Sequence, residues 1–300
     1  MTGLILKYKK EKSIFQFQYQ LSTQDRQYKN DSTDRTYTIF EDNQYKGKSQ
    51  FADAFYSTPL SKNIQWIMGG DFRYGSYNQT YASISGYGPY NDIFKDTFQY
   101  QTALYSSLLI NDASNKWLLE LGGRMNEHNR YGANQTFTIS PSYKLNSQIR
   151  FMASASTGYK APSLYQLSYN EALKPEQSFN TEIGIEYKTN TVFARGVYYD
   201  RTIENGIDYN YIDYNFFNYI KQKVNGLELE FNWKANEKNN ISLNYTLMNG
   251  QETNQNRVTT TDTITYNYLL KRPKNTAGIQ WSFEPSPKLN LSIAARYISK

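Results

Sequence analysis

Alternation with a period of two runs through most of the chain, and it constrains the fold more tightly than any other feature. In Ile241, Leu243, Tyr245 and Leu247 every second residue is apolar, with Ser242, Asn244 and Thr246 between them. Successive side chains of a strand point to opposite faces, so such a stretch has one greasy face and one wet one. The pattern recurs. Phe15, Phe17, Tyr19 and Leu21 enclose Gln16, Gln18 and Gln20; Leu227, Leu229, Phe231 and Trp233 enclose Glu228, Glu230 and Asn232; Leu289, Leu291, Ile293, Ala295 and Tyr297 enclose Asn290, Ser292, Ala294 and Arg296.

A soluble β-sandwich alternates too, with its apolar faces turned inward, so the connections have to decide between sandwich and barrel. Short links fall near residues 10–12, 58–63, 111–116, 144–148, 188–191, 234–240 and 284–288. Between them lie mostly longer ones, at residues 24–47, 79–93, 160–177, 202–218 and 250–263, with 127–132 the short exception. Short and long links therefore alternate, which in an up-and-down barrel leaves turns on one rim and loops on the other. Outer-membrane barrels have that asymmetry, with short periplasmic turns and long extracellular loops. Runs such as Phe98 to Ile110 and Tyr219 to Trp233 exceed the roughly 9 to 11 residues that cross a bilayer at a tilt. The expected fold is all-β, an antiparallel up-and-down transmembrane β-barrel of about fourteen strands within residues 1–300. The first and last links are both short, so the first strand descends and the last rises, and a barrel incomplete at both ends is expected.

Composition agrees. Only 39% of the 300 residues are hydrophobic and the mean hydropathy is -0.75, too polar for a tightly packed interior of this size. Tyr is abundant at 29 residues, beside 16 Phe and 4 Trp; rings with an apolar body and a polar tip suit a boundary between water and lipid. There is no Cys and a single His, which removes disulfides, thiolate metal sites and most triad chemistry. No stretch approaches the roughly 20 apolar residues of a transmembrane helix, and Met1 to Lys12 lacks the features of a signal peptide. Either the protein is cytoplasmic or the natural chain starts elsewhere. A net charge of +6 would suit nucleic acid or an anionic membrane, but Lys and Arg are scattered along the chain and no basic helix appears, so no nucleic-acid partner is expected.

The long link after Ser156 carries two prolines, Pro162 and Pro175. They fix backbone angles in an ordered loop where no ladder hydrogen bond is lost.

This region resembles the TonB-dependent outer-membrane receptors. The resemblance rests on Gly158-Tyr159-Lys160-Ala161-Pro162-Ser163-Leu164-Tyr165-Gln166-Leu167, then Leu173-Lys174-Pro175-Glu176, then Glu182-Ile183-Gly184. It continues in Gly226-Leu227-Glu228-Leu229 and in Arg272-Pro273. Gly122-Gly123-Arg124 and Arg130-Tyr131-Gly132 are similar to the strand and tight loop before that region in the cobalamin receptors of the family. Order and spacing match over roughly the last two thirds, and the first ninety residues match in style only.

The resemblance implies a bacterial outer-membrane barrel of about 22 strands with a plugged lumen. It implies a partner, TonB, that acts through an N-terminal plug domain, here absent, and a scarce nutrient as cargo, with outer-membrane lipid around the wall. About five strands would precede Met1 and about three follow Lys300. It implies no enzyme activity and no cofactor. The ligand-binding residues it points to are Tyr159, Tyr165, Gln166 and Asn170 on one loop, with Tyr87, Tyr90 and Tyr131 on its neighbours; each Tyr has the alternative reading of a rim packing ring. Cobalamin or another corrinoid is the expected ligand, with ferric siderophores the alternative inside the family. The absence of His between Pro162 and Leu173 speaks against haem. Asn170-Glu171-Ala172-Leu173 stands where many relatives have asparagine-proline before the leucine, which leaves that turn open.

Three other groups carry possible chemistry. Asp31, Asp34, Glu41 and Asp42 could hold calcium, against the plainer reading of a solvated acidic loop. Glu182, Glu186, Glu228 and Glu230 could serve glycoside hydrolysis as paired carboxylates, or could pair with Lys and Arg of neighbouring strands or of a plug. His128, between Asn126 and Asn129, reads as an exposed loop histidine. The rival classes are a passive pore or adhesin barrel and a soluble all-β carbohydrate-binding protein.

Overall fold

The computed structural model describes residues 1–31, 38–211, 214–255, 263–269 and 272–299. The chain opens with β1 (Thr2–Lys10), β2 (Ser13–Asn30), β3 (Thr38–Pro59), β4 (Ile64–Ser85), β5 (Gly88–Asn111), β6 (Trp117–His128), β7 (Gly132–Lys144) and β8 (Ile149–Lys160). A short helix, α1 (Leu164–Tyr169), then precedes β9 (Glu176–Lys188), β10 (Val192–Glu204), β11 (Ile207–Asn210) and β12 (Asn215–Asn218). The rest is β13 (Lys221–Asn236), β14 (Asn239–Gln255), β15 (Thr263–Tyr266), β16 (Asn275–Ser286) and β17 (Leu289–Ile298).

Fourteen strands form one antiparallel path, β1 through β10 in sequence order and then β13, β14, β16 and β17, with β15 added to β14 and β11–β12 a separate hairpin. The sheet is open, and it is the up-and-down meander that the alternation of links predicts.

Register turns the period-two pattern into faces, because directly opposed residues of an antiparallel pair share a face. Leu6, Phe17, Ala54, Gly70, Leu104 and Met125 stand opposite one another in a continuous row. A second apolar row runs Trp233, Ile241, Trp281, Ile293. One residue over, the other face is polar: Gln18, Asp53, Asp71, Ala103, Asn126 and Asn134 form the corresponding row.

The apolar face is uncovered. Leu104 is 72% and Ile293 66% exposed, whereas the buried apolar side chains among the described residues are Ala103, Leu164, Leu167, Leu173, Tyr219, Val224 and Leu269. A sandwich would place the greasy faces of two sheets against each other; here none of the described residues packs over that face. All four Trp sit toward the turn ends of this face: Trp66 near the start of β4, Trp117 opening β6, and Trp233 and Trp281 in the row above. Aromatic girdles of this kind mark a membrane boundary. No described helix is long and apolar enough to cross a membrane, and the strands take that role.

Two expected links are largely strand. Residues 79–93 read as a loop but complete β4 and β5, whose hairpin turns at Gly86 and Tyr87; residues 24–30 and 38–47 likewise extend β2 and β3. Beyond the membrane both faces of a strand are wetted, so the apolar alternation stops while the hydrogen-bonded ladder continues. The loop reading of residues 160–177 also missed α1.

Candidate functional site

The rim that carries the long connections is organised by α1. Ser163 caps it: its Oγ accepts from Gln166 N at 3.2 Å, and Gln166 Oε1 accepts from Ser163 N at 2.9 Å. This reciprocal pair is a capping box, two orphan amides satisfied by two side chains. Pro162 is fully buried, and Leu164, Leu167 and Leu173 form a small core against Tyr77, Ile207 and Phe216. Tyr77 lies two positions beyond Gly75 on β4, and Gly75 lies two beyond Arg73, so α1 packs over the polar face.

Rings gather around the helix. Tyr165 meets Tyr77 edge-on at 6.3 Å, Phe216 at 6.0 Å and Tyr169 at 5.2 Å. Tyr169 also packs on Phe216 and Tyr209, and Tyr209 on Phe216 at 4.9 Å. The Tyr165 and Tyr169 hydroxyls are 3.3 Å apart, and that hydrogen bond, with burial behind it, pushes the Tyr169 phenol above its usual range.

Amide side chains bind these segments together. Asn170 Nδ2 donates to Phe216 O at 2.9 Å while its Oδ1 accepts from Ala172 N, which closes the turn before Leu173. Asn218 accepts from Lys174 N at 2.8 Å and donates to Lys174 O at 2.9 Å and Asn205 O at 2.6 Å. From the β6–β7 turn, Tyr131 OH donates to Leu173 O and Arg130 Nη2 to Glu171 O.

Below this cluster a cavity of about 430 Å³ is lined by Arg73, Gln99, Gln101, Asn126, His128 and Tyr159, among others. Tyr159 OH and Gln99 Oε1 are buried without a hydrogen-bond partner. Unpaired buried oxygens are costly and are usually satisfied by water or ligand. Asp71, which is buried, anchors the floor through Arg124 at 2.6 Å and Arg73 at 3.2 Å.

The expected site residues thus divide. Tyr159, Tyr165, Gln166, Asn170 and Tyr131 come together around α1 and the cavity, and three of them carry loop architecture through their own hydrogen bonds. Tyr87 stands 92% exposed at the β4–β5 tip and Tyr90 packs on Tyr81; among the described residues no ring contact joins either to the cluster. Tyr77, Gln99, Tyr209, Phe216 and Asn218 were missed. The density of aromatic and Asn residues between Ile207 and Tyr219 is the signal that could have found three of them.

His128 corrects an expectation: it is 3% exposed. Its Nδ1 accepts from Arg130 N at 3.1 Å and its ring packs on Tyr131 at 5.1 Å, because the short β6–β7 turn folds back over it. Of the four strand glutamates, Glu186 pairs with Arg150 at 3.0 Å and Glu230 with Arg195 at 3.4 Å. Arg150, Glu186, Arg195 and Glu230 stand opposite one another in turn, an alternating charge ladder. Of the calcium candidates, Asp34 lies outside the described residues, Asp31 is exposed and Asp42 is held by Gln27 at 2.9 Å and Lys29 at 3.8 Å. Among the described residues no three His, Cys, Asp or Glu cluster as a metal site.

The sequence model of the family described as TonB dependent receptor-like, beta-barrel matches residues 3–300. The chain is similar to the vitamin B12 transporter of Photobacterium profundum, 35% identical over 94 residues, which are 30% of this chain and 14% of that protein. It superposes on the ferric yersiniabactin uptake receptor from Yersinia pestis with a TM-score of 0.73 at 15% identity, over 97% of this chain and 48% of that one. The ferripyoverdine receptor of the outer membrane of Pseudomonas aeruginosa gives a TM-score of 0.68 at 15% identity, over 95% and 43%. The chain spans less than half the length of either solved receptor.

Proposed function

The chain belongs to the TonB-dependent receptor-like β-barrel family, and from that membership we propose that it forms part of the wall and the ligand-reading rim of an uptake receptor for cobalamin or a related corrinoid. Its place is the bacterial outer membrane. In the proposed whole receptor, a plug and further strands supplied outside residues 1–300 close the barrel, and TonB drives import through the plug. The work is transport, with no catalytic step assigned to any residue here.

The observation that carries this reading is the concavity lined by Arg73, Gln99, Gln101, His128 and Tyr159, which holds two unpartnered oxygens, Tyr159 OH and Gln99 Oε1. Ligand sites are concave, largely apolar, and fixed by a few placed polar groups. A corrinoid offers side-chain amide N–H groups to those oxygens. Identity to a vitamin B12 transporter over 94 residues supports the same ligand class; the solved siderophore receptors, at 15% identity, support the fold alone.

The test is retention of cyanocobalamin by the detergent-solubilised chain, with ferric siderophores as competitors. Tyr159→Phe should weaken retention roughly tenfold, the worth of one hydrogen bond to a buried oxygen. Retention of a ferric siderophore with none of the corrinoid would transfer the site to that class of cargo.

A further inference from the structure

Nine of the lysines, scattered in sequence, are gathered by the fold onto one rim. Each of the seven short links carries at least one: Lys10 and Lys12, Lys62, Lys116, Lys144, Lys188, Lys234 and Lys238, and Lys288. That is nine lysines against four carboxylates, Glu11, Asp112, Glu237 and Glu284, an excess of five from a chain whose net charge is +6. All nine are exposed.

They are also electrostatically free. Among the described residues none of the nine is in an ion pair, whereas on the opposite rim Lys29, Lys160 and Lys221 are held by Asp42, Glu176 and Glu204 at 3.8, 2.6 and 3.5 Å. The turns are stitched into a band by backbone bonds, as in Lys144 N to Lys116 O and Lys234 N to Thr191 O, both 2.8 Å, so the charges form a continuous arc. Their depth is fixed by their neighbours. Lys116 adjoins Trp117, Lys234 adjoins Trp233, Lys144 adjoins Tyr143 and Lys188 adjoins Tyr187, and those rings end the apolar face. A lysine one step past an aromatic girdle reaches headgroup depth, its methylenes lying along the girdle and its ammonium in water.

We propose that this rim binds the anionic phospholipid headgroups of the leaflet on its side of the membrane. The proposal rests on the outer-membrane reading. Placement beside the girdle selects lipid phosphate over a soluble acidic protein, and the unpaired excess of five selects anionic over zwitterionic headgroups. A Lys near such a surface gains roughly fivefold in association at moderate salt.

All four Trp lie at this rim, so they report on it. The full chain would be reconstituted in phosphatidylcholine vesicles mixed with phosphatidylglycerol, and Trp quenching compared when the bromine label is on one lipid or the other. Brominated phosphatidylglycerol should quench more strongly at equal mole fraction, with a preference of about fivefold that falls as salt is added. Substituting Lys62→Gln, Lys116→Gln, Lys144→Gln and Lys188→Gln together should abolish the preference and leave quenching by brominated phosphatidylcholine intact, which shows that the variant still inserts. The same change at the loop-side lysines Lys46, Lys48, Lys174 and Lys223 should leave the preference intact. Equal quenching by the two lipids in the unaltered chain, or a preference that survives the turn substitutions, overturns the proposal and leaves the membrane reading standing. No quenching by either lipid overturns both.

Discussion

Asn218 works like a detachable piece of strand: one amide side chain satisfies both backbone groups of Lys174, 44 positions away, and a third at Asn205. Replacing it with Ala removes three hydrogen bonds at about 1 kcal/mol each. In Asn218→Ala the Lys174 amide should exchange its hydrogen roughly tenfold faster or more, while amides of β13 and β14 stay protected. Gly226 is required for a different reason. A Cβ there would come within 2.3 Å of Leu247 O and 2.5 Å of Tyr199 OH, so Tyr199 lies across the glycine of the Gly-Leu-Glu stretch. Gly226→Ala should lower stability by about 1–3 kcal/mol, read as an earlier urea midpoint in detergent. Gly226 could be picked from the sequence as part of a motif and Asn218 could not, and the reason for neither is legible there. Gly226 faces a tyrosine on another strand, and Asn218 answers a lysine whose backbone is left open by a loop, so neither partner is visible from local spacing.

At the level of elements, a segment was legible where one of its faces meets lipid. The lower halves of β2, β13, β14 and β17 alternate because the membrane accepts each apolar position, and their registers follow. The upper halves of β2 to β5 project into water and carry Tyr, Thr, Ser, Asn and Gln on both faces, so the signal vanishes while the ladder goes on. α1 is short enough that no helical period can develop, yet Ser163 and Gln166 carry the capping-box spacing that marks its start. Ser163→Ala should cost about 1 kcal/mol of local stability. Since α1 holds Tyr165 and Tyr169 in the ring cluster, limited proteolysis between Pro162 and Pro175 should quicken several-fold with the sheet unaffected. Unchanged proteolysis would mean that the buried leucines alone hold the helix.

Across the whole molecule the chemistry is sorted by height and by face. Apolar side chains clothe one face, an Arg–Glu ladder and the Asp71 cluster stiffen the other, an aromatic cluster and the concavity of Tyr159 and Gln99 occupy the loop rim, and free lysines line the turn rim. Without detergent such a chain should self-associate, because the exposed face led by Phe15, Leu104 and Ile293 would meet water. Everything above depends on that face meeting lipid. The absence of Cys makes this directly testable by placing single cysteines at positions 241 to 247 of β14 and measuring, in membranes, the access of a spin label at each to oxygen and to a water-soluble nickel chelate. Strict alternation is predicted, with labels at Ile241, Leu243, Tyr245 and Leu247 reached by oxygen and those at Ser242, Asn244 and Thr246 reached by the chelate. Labels at the odd positions shielded from both relaxers would mean that the apolar face is packed against protein, and the membrane barrel would be contradicted.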